Sequence, residues 1–184
     1  SQTQWAQARA ILQAMGREAL RAAIERPLEM TRTPDGGSYS IEPDLVEHLL
    51  EETLQATAGI ENLPVLNYTL SKLFTKAREG GEPLLSFTQL QTLADTGDGQ
   101  AGGIQAVLRH SAERAFECLG DEAKAAHELI FPALVEAPPF GDTRHWTRRR
   151  APKAELSALH PGADEFVRVF SGSSRGLLQL LSVQ

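Results

Sequence analysis

Apolar residues that recur every three or four positions, between prolines and glycines, constrain this chain most strongly, because that spacing favours short amphipathic helices. One such face follows Pro43 and consists of Leu45, Val46, Leu49, Leu50 and Leu54. A proline suits the first turn of a helix, since the N–H that it lacks would have no partner there. We therefore predict a small bundle of helices in the first half of the chain.

Prolines and glycines also bound the other helices of this bundle. We predict that the first helix ends at Pro27, because a proline ring cannot continue a helix interior. Its stripe consists of Trp5, Leu12, Met15, Leu20, Ala23 and Ile24. A later helix ends at Gly80-Gly81, since glycine suits the C-cap, and its face consists of Leu63, Leu66, Leu70, Leu73 and Phe74. Ser86 opens a further short helix.

The pattern changes in the segment TGDGQAGG, and charge changes with it. Residues 1–100 hold 8 Lys and Arg against 14 Asp and Glu, whereas residues 101–184 hold 10 of each. We therefore predict a helical bundle over residues 1–96, a linker over 97–103 and a second domain over 104–184. The fold class is mostly α with a short β element.

The second domain shows the element order of a winged helix. A helix runs from Ile104 to Gly120, and Asp121 caps another in which Pro132 kinks or ends the last turn. A strand near residues 147–149 and two short helices follow, one begun by Pro152 and one over 164–170. Residues 176–184, GLLQLLSVQ, read as a terminal strand.

Composition excludes several classes of protein. No apolar run approaches the length of about 20 residues that spans a membrane, and the N-terminus lacks the pattern of a signal peptide. The single Cys118 excludes an internal disulfide and fits a reducing compartment, so we expect the cytoplasm. The net charge of −6 disfavours broad nucleic-acid binding.

Five segments occur in a fixed order: MGREALRAAIERPLE, IEPDLVEHLLEET, NLPVLNYTLSKLF, GGIQAVLRHSAERAFECL and TRRRAPKAEL. Together they resemble a bacterial branch of the STAND ATPases, which are signal-transduction NTPases related to apoptotic and plant-resistance ATPases. The resemblance implies a helical lid and a winged helix that follow a P-loop domain in the same polypeptide. It also implies a regulatory switch in which that polypeptide binds ATP or ADP with Mg²⁺.

The segment NLPVL has two interpretations. The resemblance implies that Pro64 and Leu63 lie near the adenine of the nucleotide, although Asn62 stands where the family has glycine. The spacing alone favours a simpler interpretation, in which Pro64 begins a helix and Leu63 joins the core. The two are compatible, because a helix N-terminus also offers free N–H groups to a polar ligand.

The chain lacks the residues that a P-loop requires. Gly97 and Gly102 have the outer spacing of Gly-x-x-x-x-Gly-Lys-Ser/Thr, but Gly103 stands where the lysine must be. The five histidines and Cys118 show no metal-ligand spacing. We therefore expect this chain to hold no cofactor or metal by itself and to catalyse no reaction.

A basic cluster gives the second candidate site. It consists of Arg144, Arg148, Arg149, Arg150 and Lys153. One interpretation is a winged-helix transcription regulator that binds DNA, but the following helix lacks Asn, Gln or Arg for base edges. The resemblance instead favours contact within the polypeptide, including pairs with acids such as Glu155 or Asp164. A purely structural interaction module is a third possibility.

Two surfaces complete the expectations. Glu47, Glu51 and Glu52 are interpreted as a solvated face. The terminal strand would expose one edge beside apolar side chains, so we expect it either to pair with another chain or to fray after Leu181. Self-association is thus one expected interaction, alongside the P-loop domain of the same chain; a membrane is not expected.

Overall fold

The structure is a computed structural model that describes residues 15–55, 63–94, 102–136 and 147–172. The described residues are mostly helical with a few two-residue strands, which confirms the predicted fold class at that level. The chain forms two compact units, residues 1–108 and 109–184, and the division falls within one helix. Each unit has its own buried apolar core.

The first unit is a bundle of helices with one pair of short strands. Its elements are α1 (Arg17–Met30), β1 (Ser40–Ile41), α2 (Pro43–Gln55), α3 (Leu63–Gly80), β2 (Leu84–Leu85), α4 (Phe87–Ala94) and the first turn of α5 (Ile104–Glu117). The two strands are parallel, with Ser40 opposite Leu84. Two-residue strands carry no detectable alternation, so the sequence did not predict them.

The face that α2 buries differs from the predicted face at one position. Leu45, Leu49 and Leu50 are fully buried, as predicted, but Leu54 is 38% exposed and Thr53 is buried instead. At about 100° per residue, Thr53 lies at the centre of this face and Leu54 beyond its edge. The Thr53 hydroxyl donates to the carbonyl oxygen of Leu49 at 2.7 Å, which satisfies it inside the core.

The predicted end of the first helix at Pro27 is wrong, because α1 continues through Pro27 to Met30. The carbonyl that the missing N–H would have bound belongs to Ala23. This residue was predicted to join the buried stripe, but it is exposed. Pro27 thus lies one turn after a residue on the solvent side of the helix, where an unpaired carbonyl costs less than in the core. Leu20, Ile24 and Leu28 form the buried stripe. Trp5 and Leu12 lie outside the described residues.

The predicted glycine cap of α3 is confirmed. Gly81 has φ of +69°, a conformation that other residues rarely adopt. Its N–H donates to the carbonyl of Arg78 at 3.3 Å, and the next N–H, of Glu82, donates to Ala77 at 2.9 Å. This pair of bonds is a Schellman motif, and it satisfies carbonyls that the helix end leaves open.

Ser86 begins α4, as predicted. Its hydroxyl accepts a hydrogen bond from the N–H of Gln89, and the Gln89 side chain accepts one from the N–H of Ser86. This reciprocal arrangement is a capping box. The N–H of Phe87 donates to the carboxylate of Glu42 at 2.7 Å, so an acid just before α2 also caps α4.

Glu47 and Glu52 are not simply a solvated face, so that interpretation is wrong for both. Glu47 pairs with Arg17 and Arg21 of α1. The hydrogen bond from Arg21 is the main cause that lowers the pKa of Glu47, and the bond from Arg17 adds to it. A charged carboxylate thus links α1 to α2.

Glu52 caps α5 from α2. Its Oε2 accepts a hydrogen bond from the N–H of Ile104 at 2.6 Å, and its Oε1 lies 3.5 Å from Nε2 of His48. A Cβ on Gly103 would lie 1.6 Å from Oε1. Glycine is therefore required at position 103, because any larger residue would displace the carboxylate. Gly102 is confined too, since an added Cβ would lie 2.6 Å from the Cβ of Ala94.

The second unit contains the rest of α5, four further helices and one antiparallel pair of strands within the residues described. These elements are α6 (Asp121–Ala125), α7 (His127–Ala133), β3 (Val135–Glu136), β4 (Thr147–Arg148), α8 (Lys153–Leu159) and α9 (Ala163–Ser171). Val135 lies opposite Arg148 and Glu136 opposite Thr147. The strand predicted near 147–149 is therefore present, and its partner β3 was not predicted.

Aromatic rings organise the core of the second unit. Phe166 and Phe170 are buried and stack with ring centroids 4.3 Å apart. The edge of Phe131 packs against Phe166 at 5.5 Å. Edge-to-face and offset pairs of this kind are favoured by the ring quadrupole. They join α7 to α9.

The region predicted as one helix after Asp121 differs from the prediction at its start and in its middle. Gly120, not Asp121, is the N-cap of α6, and Asp121 is the first helical residue. The predicted single helix is divided at Ala126 into α6 and α7. Pro132 lies next to the last residue of α7, which ends at Ala133, so the predicted effect of this proline is confirmed.

Several predictions fall outside the described residues. These are the terminal strand over 176–184 and the part of the linker over 97–101. The proposed domain limits stay predictions.

The close approach of Glu52 to Gly103 generates a test. We expect Gly103→Ala to lower the free energy of unfolding by about 2 kcal/mol, because the carboxylate must leave the N–H of Ile104 and the cap is lost. Urea unfolding followed by circular dichroism measures this. Gly80→Ala is the matched control, since the nearest atom to its added Cβ is 3.8 Å away. Equal losses of unfolding free energy in Gly103→Ala and Gly80→Ala would contradict this account. So would an undiminished effect of Gly103→Ala in a protein that already carries Glu52→Ala, since the carboxylate is then absent.

Candidate functional site

Leu63 and Pro64 form the first two residues of α3 and differ in exposure. Leu63 is half-buried and packs against the first core, whereas Pro64 is exposed. The interpretation of Leu63 as a core residue is thus confirmed by its packing, and the ring of Pro64 remains accessible to a ligand. The first turn of α3 carries no acidic side chain that would repel an anion.

The arginine run is divided by the structure. Arg149 is half-buried, while Arg148 and Arg150 on either side are exposed. Among the described residues, only the Arg149 side chain of these three arginines bonds to its own unit, at Ala133 and Glu155. Arg144 lies outside the described residues.

Arg149 is tied to its own unit by three hydrogen bonds. Its backbone N–H donates to the carbonyl of Leu134 at 2.8 Å. Its guanidinium donates to the carbonyl of Ala133 at 2.9 Å and to the carboxylate of Glu155 at 2.7 Å. The expected pairing of this run with Glu155 is therefore present. These bonds connect the end of α7, the strand β4 and α8.

Electrostatics reinforce the position of Arg149. The hydrogen bond to Glu155 is the main cause that raises the pKa of Arg149, and attraction to the same carboxylate comes second. Burial acts weakly in the opposite direction, and Glu136 adds a small attraction. Its positive charge is thus committed to neighbours within the second unit.

Lys153, the last member of the basic cluster, is only loosely engaged. Its Nζ lies 3.9 Å from the carboxylate of Asp164, and both side chains are about two-thirds exposed, at 64% and 66%. Such exposed pairs contribute little, because water screens them. The hydroxyl of Ser157 donates to the same carboxylate at 2.7 Å, which holds Asp164 in place.

A cleft of about 500 Å³ lies elsewhere in the first unit, between the loop at 33–37 and the C-terminal turn of α3. Its charged lining residues are Asp35, Arg78 and Glu82. Arg78 is 14 residues along α3 from Pro64, a distance of about 21 Å at the rise of an α-helix. The cleft is therefore separate from the predicted adenine contact.

Metal sites and membrane-spanning helices are both absent from the described ranges. No three His, Cys, Asp or Glu side chains there form a group that could hold a metal ion. None of the described helices is long and apolar enough to cross a membrane.

Comparison with known families decides the class of the chain. A family model described as Novel STAND NTPase 1 matches residues 1–180. The chain belongs to this family. The resemblance to STAND NTPases drawn from the five segments is thus confirmed. No curated protein and no solved structure matches the chain.

Two of the five segments in this STAND member now have a structural explanation. The glycine pair of GGIQAVLRHSAERAFECL admits the carboxylate of Glu52 and the side chain of Ala94. The run TRRRAPKAEL contains both Arg149 and its partner Glu155. Sequence reasoning missed the role of Glu52, although a glycine pair directly before a helix was a usable signal.

The division of the arginine run generates a second test. We expect Arg149→Ala to lower the midpoint of thermal unfolding, because it leaves Glu155 unpaired and removes a donor from Ala133 O. Arg148→Ala is the matched control and is expected to unfold at the same temperature as the unsubstituted chain, since Arg148 is exposed. Differential scanning calorimetry measures both. An equal decrease in the two variants would show that Arg149 has no special structural role.

Proposed function

We propose that this chain is a non-catalytic regulatory segment of a STAND-type nucleotide-dependent switch. In this proposal a P-loop domain of the same polypeptide binds ATP or ADP with Mg²⁺, and the first unit closes over the nucleotide as a lid. The closed and open arrangements bind nucleotide differently, and this difference transmits the nucleotide state to oligomerisation or to an effector. The family match over residues 1–180 supports the class.

The observation that carries the proposal is the first turn of α3. Leu63 is anchored in the core, so the helix start has a fixed position, and the exposed ring of Pro64 offers a flat apolar surface. A nucleotide base is apolar on its faces and polar at its edges. The proline ring would contact a face of adenine, while N–H groups at the start of a helix, which have no partner within the helix, suit polar atoms.

The second unit would act as a winged-helix-like domain. Helices α8 and α9 are joined by a turn of three residues, His160 to Gly162, which is typical of a helix-turn-helix. A Cβ on Gly162 would lie 2.4 Å from the carbonyl oxygen of Glu122 in α6, so glycine is needed for this close approach. The strands β3 and β4 supply the short β element.

DNA binding by this unit is the alternative that the helix-turn-helix arrangement favours. The N-terminal residues of the recognition helix contact base edges in such proteins. Here the first turn of α9 contains Asp164 and Glu165, which would be repelled by the phosphate backbone. We therefore favour contact with protein over contact with DNA.

The proposal predicts a specific effect of Pro64. In the longer polypeptide, Pro64→Ala should increase the dissociation constant for ADP about 3- to 10-fold, which corresponds to roughly 1 kcal/mol of lost apolar contact. Release of a fluorescent ADP analogue measures this. Asn67→Ala is the matched control, because Asn67 is an exposed residue of the same helix. Unchanged retention with a lower melting temperature would mean that Pro64 only begins the helix.

A further inference from the structure

We propose that the cleft between the loop at 33–37 and the C-terminal turn of α3 binds a small dipolar ligand, which carries both a carboxylate and an ammonium group. Free amino acids and short peptides share this chemistry. The proposal goes beyond the switch and does not rest on it, because Arg78 in the cleft lies about 21 Å along α3 from Pro64. The name "loop cleft" is used below for this site.

The walls of the loop cleft are held by backbone hydrogen bonds. In the loop, the N–H of Gly36 donates to the carbonyl of Thr33 at 3.0 Å. The helix wall ends in the Schellman motif at Gly81. The N–H of Ser40 donates to the carbonyl of Pro83 at 2.8 Å, which ties the chain after the loop to the chain after α3. A ligand therefore meets preformed walls, and little entropy is lost in ordering them.

The hydroxyl of Tyr39 is the first group that points to a ligand. Tyr39 lines the loop cleft although it is only 4% exposed, and its ring packs edge-on against Phe74 with centroids 4.8 Å apart. Its hydroxyl bonds to none of the described residues, yet it is not among the polar atoms that the core seals from solvent. Since a largely buried tyrosine hydroxyl normally has a partner, this one is available to a group that enters the cleft.

The two unpaired charges of the loop cleft have opposite signs. Arg78 lies in the last turn of α3 and Asp35 in the loop, and both are exposed. Within the part of the chain that the structure describes, neither side chain forms a hydrogen bond or an ion pair, so the two do not neutralise each other. The third charged lining residue, Glu82, is already engaged, because its carboxylate accepts a hydrogen bond from the side chain of Gln89 at 2.6 Å.

These separate charges select the ligand. The guanidinium of Arg78 suits a carboxylate, which it can bind in a bidentate pair, and the Tyr39 hydroxyl is a further donor. The carboxylate of Asp35 suits an ammonium group. Phosphate would be repelled by Asp35 and Glu82, and a simple amine would be repelled by Arg78. A ligand that carries both charges has a partner for each.

Titrations of the chain followed by amide proton–nitrogen correlation spectra test the proposal, at about pH 6.5, where α-amino groups are protonated. Glycylglycine and glycine carry both charges, N-acetylglycylglycine only the carboxylate and glycylglycine amide only the ammonium group. We expect glycylglycine or glycine to shift the amides of Gly36, Gly37 and Gly81 with a dissociation constant of about 1 mM. Each probe with a single charge should bind about fivefold more weakly. The tighter of the two dipolar probes shows whether a peptide or an amino acid fits the site.

Three substitutions assign the recognition to individual groups. Arg78→Gln should remove the preference for a free carboxylate, so that glycylglycine and its amide bind equally. Asp35→Asn should remove the preference for a free ammonium group, so that glycylglycine and its N-acetyl form bind equally. Tyr39→Phe should weaken glycylglycine binding about threefold without changing the midpoint of thermal unfolding, since the hydroxyl has no partner in the described residues.

Arg26→Gln is the matched control. Arg26 is an exposed arginine of the same unit that does not line the loop cleft, so its loss should change glycylglycine binding less than about twofold. Equal weakening by Arg26→Gln and Arg78→Gln would overturn the proposal, because only net charge would then matter. So would equal binding of the three peptide probes by the unsubstituted chain. Unshifted amides at the three glycines up to about 50 mM glycylglycine and glycine would show that the loop cleft binds no dipolar ligand.

Discussion

The hydrogen bond between the carboxylate of Glu52 and the N–H of Ile104 joins two helices whose residues are 52 positions apart in sequence. A negative charge at a helix N-terminus is favourable, because the helix dipole and unpaired N–H groups both attract it. Glu42 caps α4 in the same way, at 2.7 Å from the N–H of Phe87. The segment around α2 therefore fixes the starts of two other helices, and the first unit depends on that arrangement.

These contacts also explain part of the acidic excess in the first half of the chain. Glu42 and Glu52 cap helices and Glu47 pairs with two arginines of α1. Acids with such partners stabilise the fold and offer little charge to an external ligand. In the second unit a positive residue is used in the same way, because Arg149 binds Glu155 and two backbone carbonyls of that unit. In both units, charges that look alike in sequence divide into structural and exposed ones.

Helices with several apolar residues at regular spacing were predictable from the sequence. So were the end of α3 at Gly81 and the starts of α4 and α8 at Ser86 and Pro152. Those signals are local, because a cap or a periodic face depends on residues within a few positions.

The features that the sequence did not predict have a different origin. The strands β1, β2 and β3 are two residues long and are fixed by partners distant in sequence. The role of Glu52 depends on a helix that begins 52 residues away. Pro27 continues α1 at a position where the residue one turn before it, Ala23, is exposed and not part of the core. At the candidate sites the sequence singled out the arginine run and the start of α3, but only the packing distinguished Arg149 from its neighbours.

The central claim is that this chain regulates a nucleotide site whose phosphate-binding groups lie in another domain of the polypeptide. Titration calorimetry of ADP with Mg²⁺ into this chain and into the longer polypeptide tests it most directly. Phosphates make the strong charge-assisted contacts in such sites, and the sequence has no Gly-Lys pair to receive them. The account predicts binding by the chain no tighter than about 1 mM and binding by the longer polypeptide of about 1 μM or tighter. Binding of about 1 μM by this chain alone would contradict it.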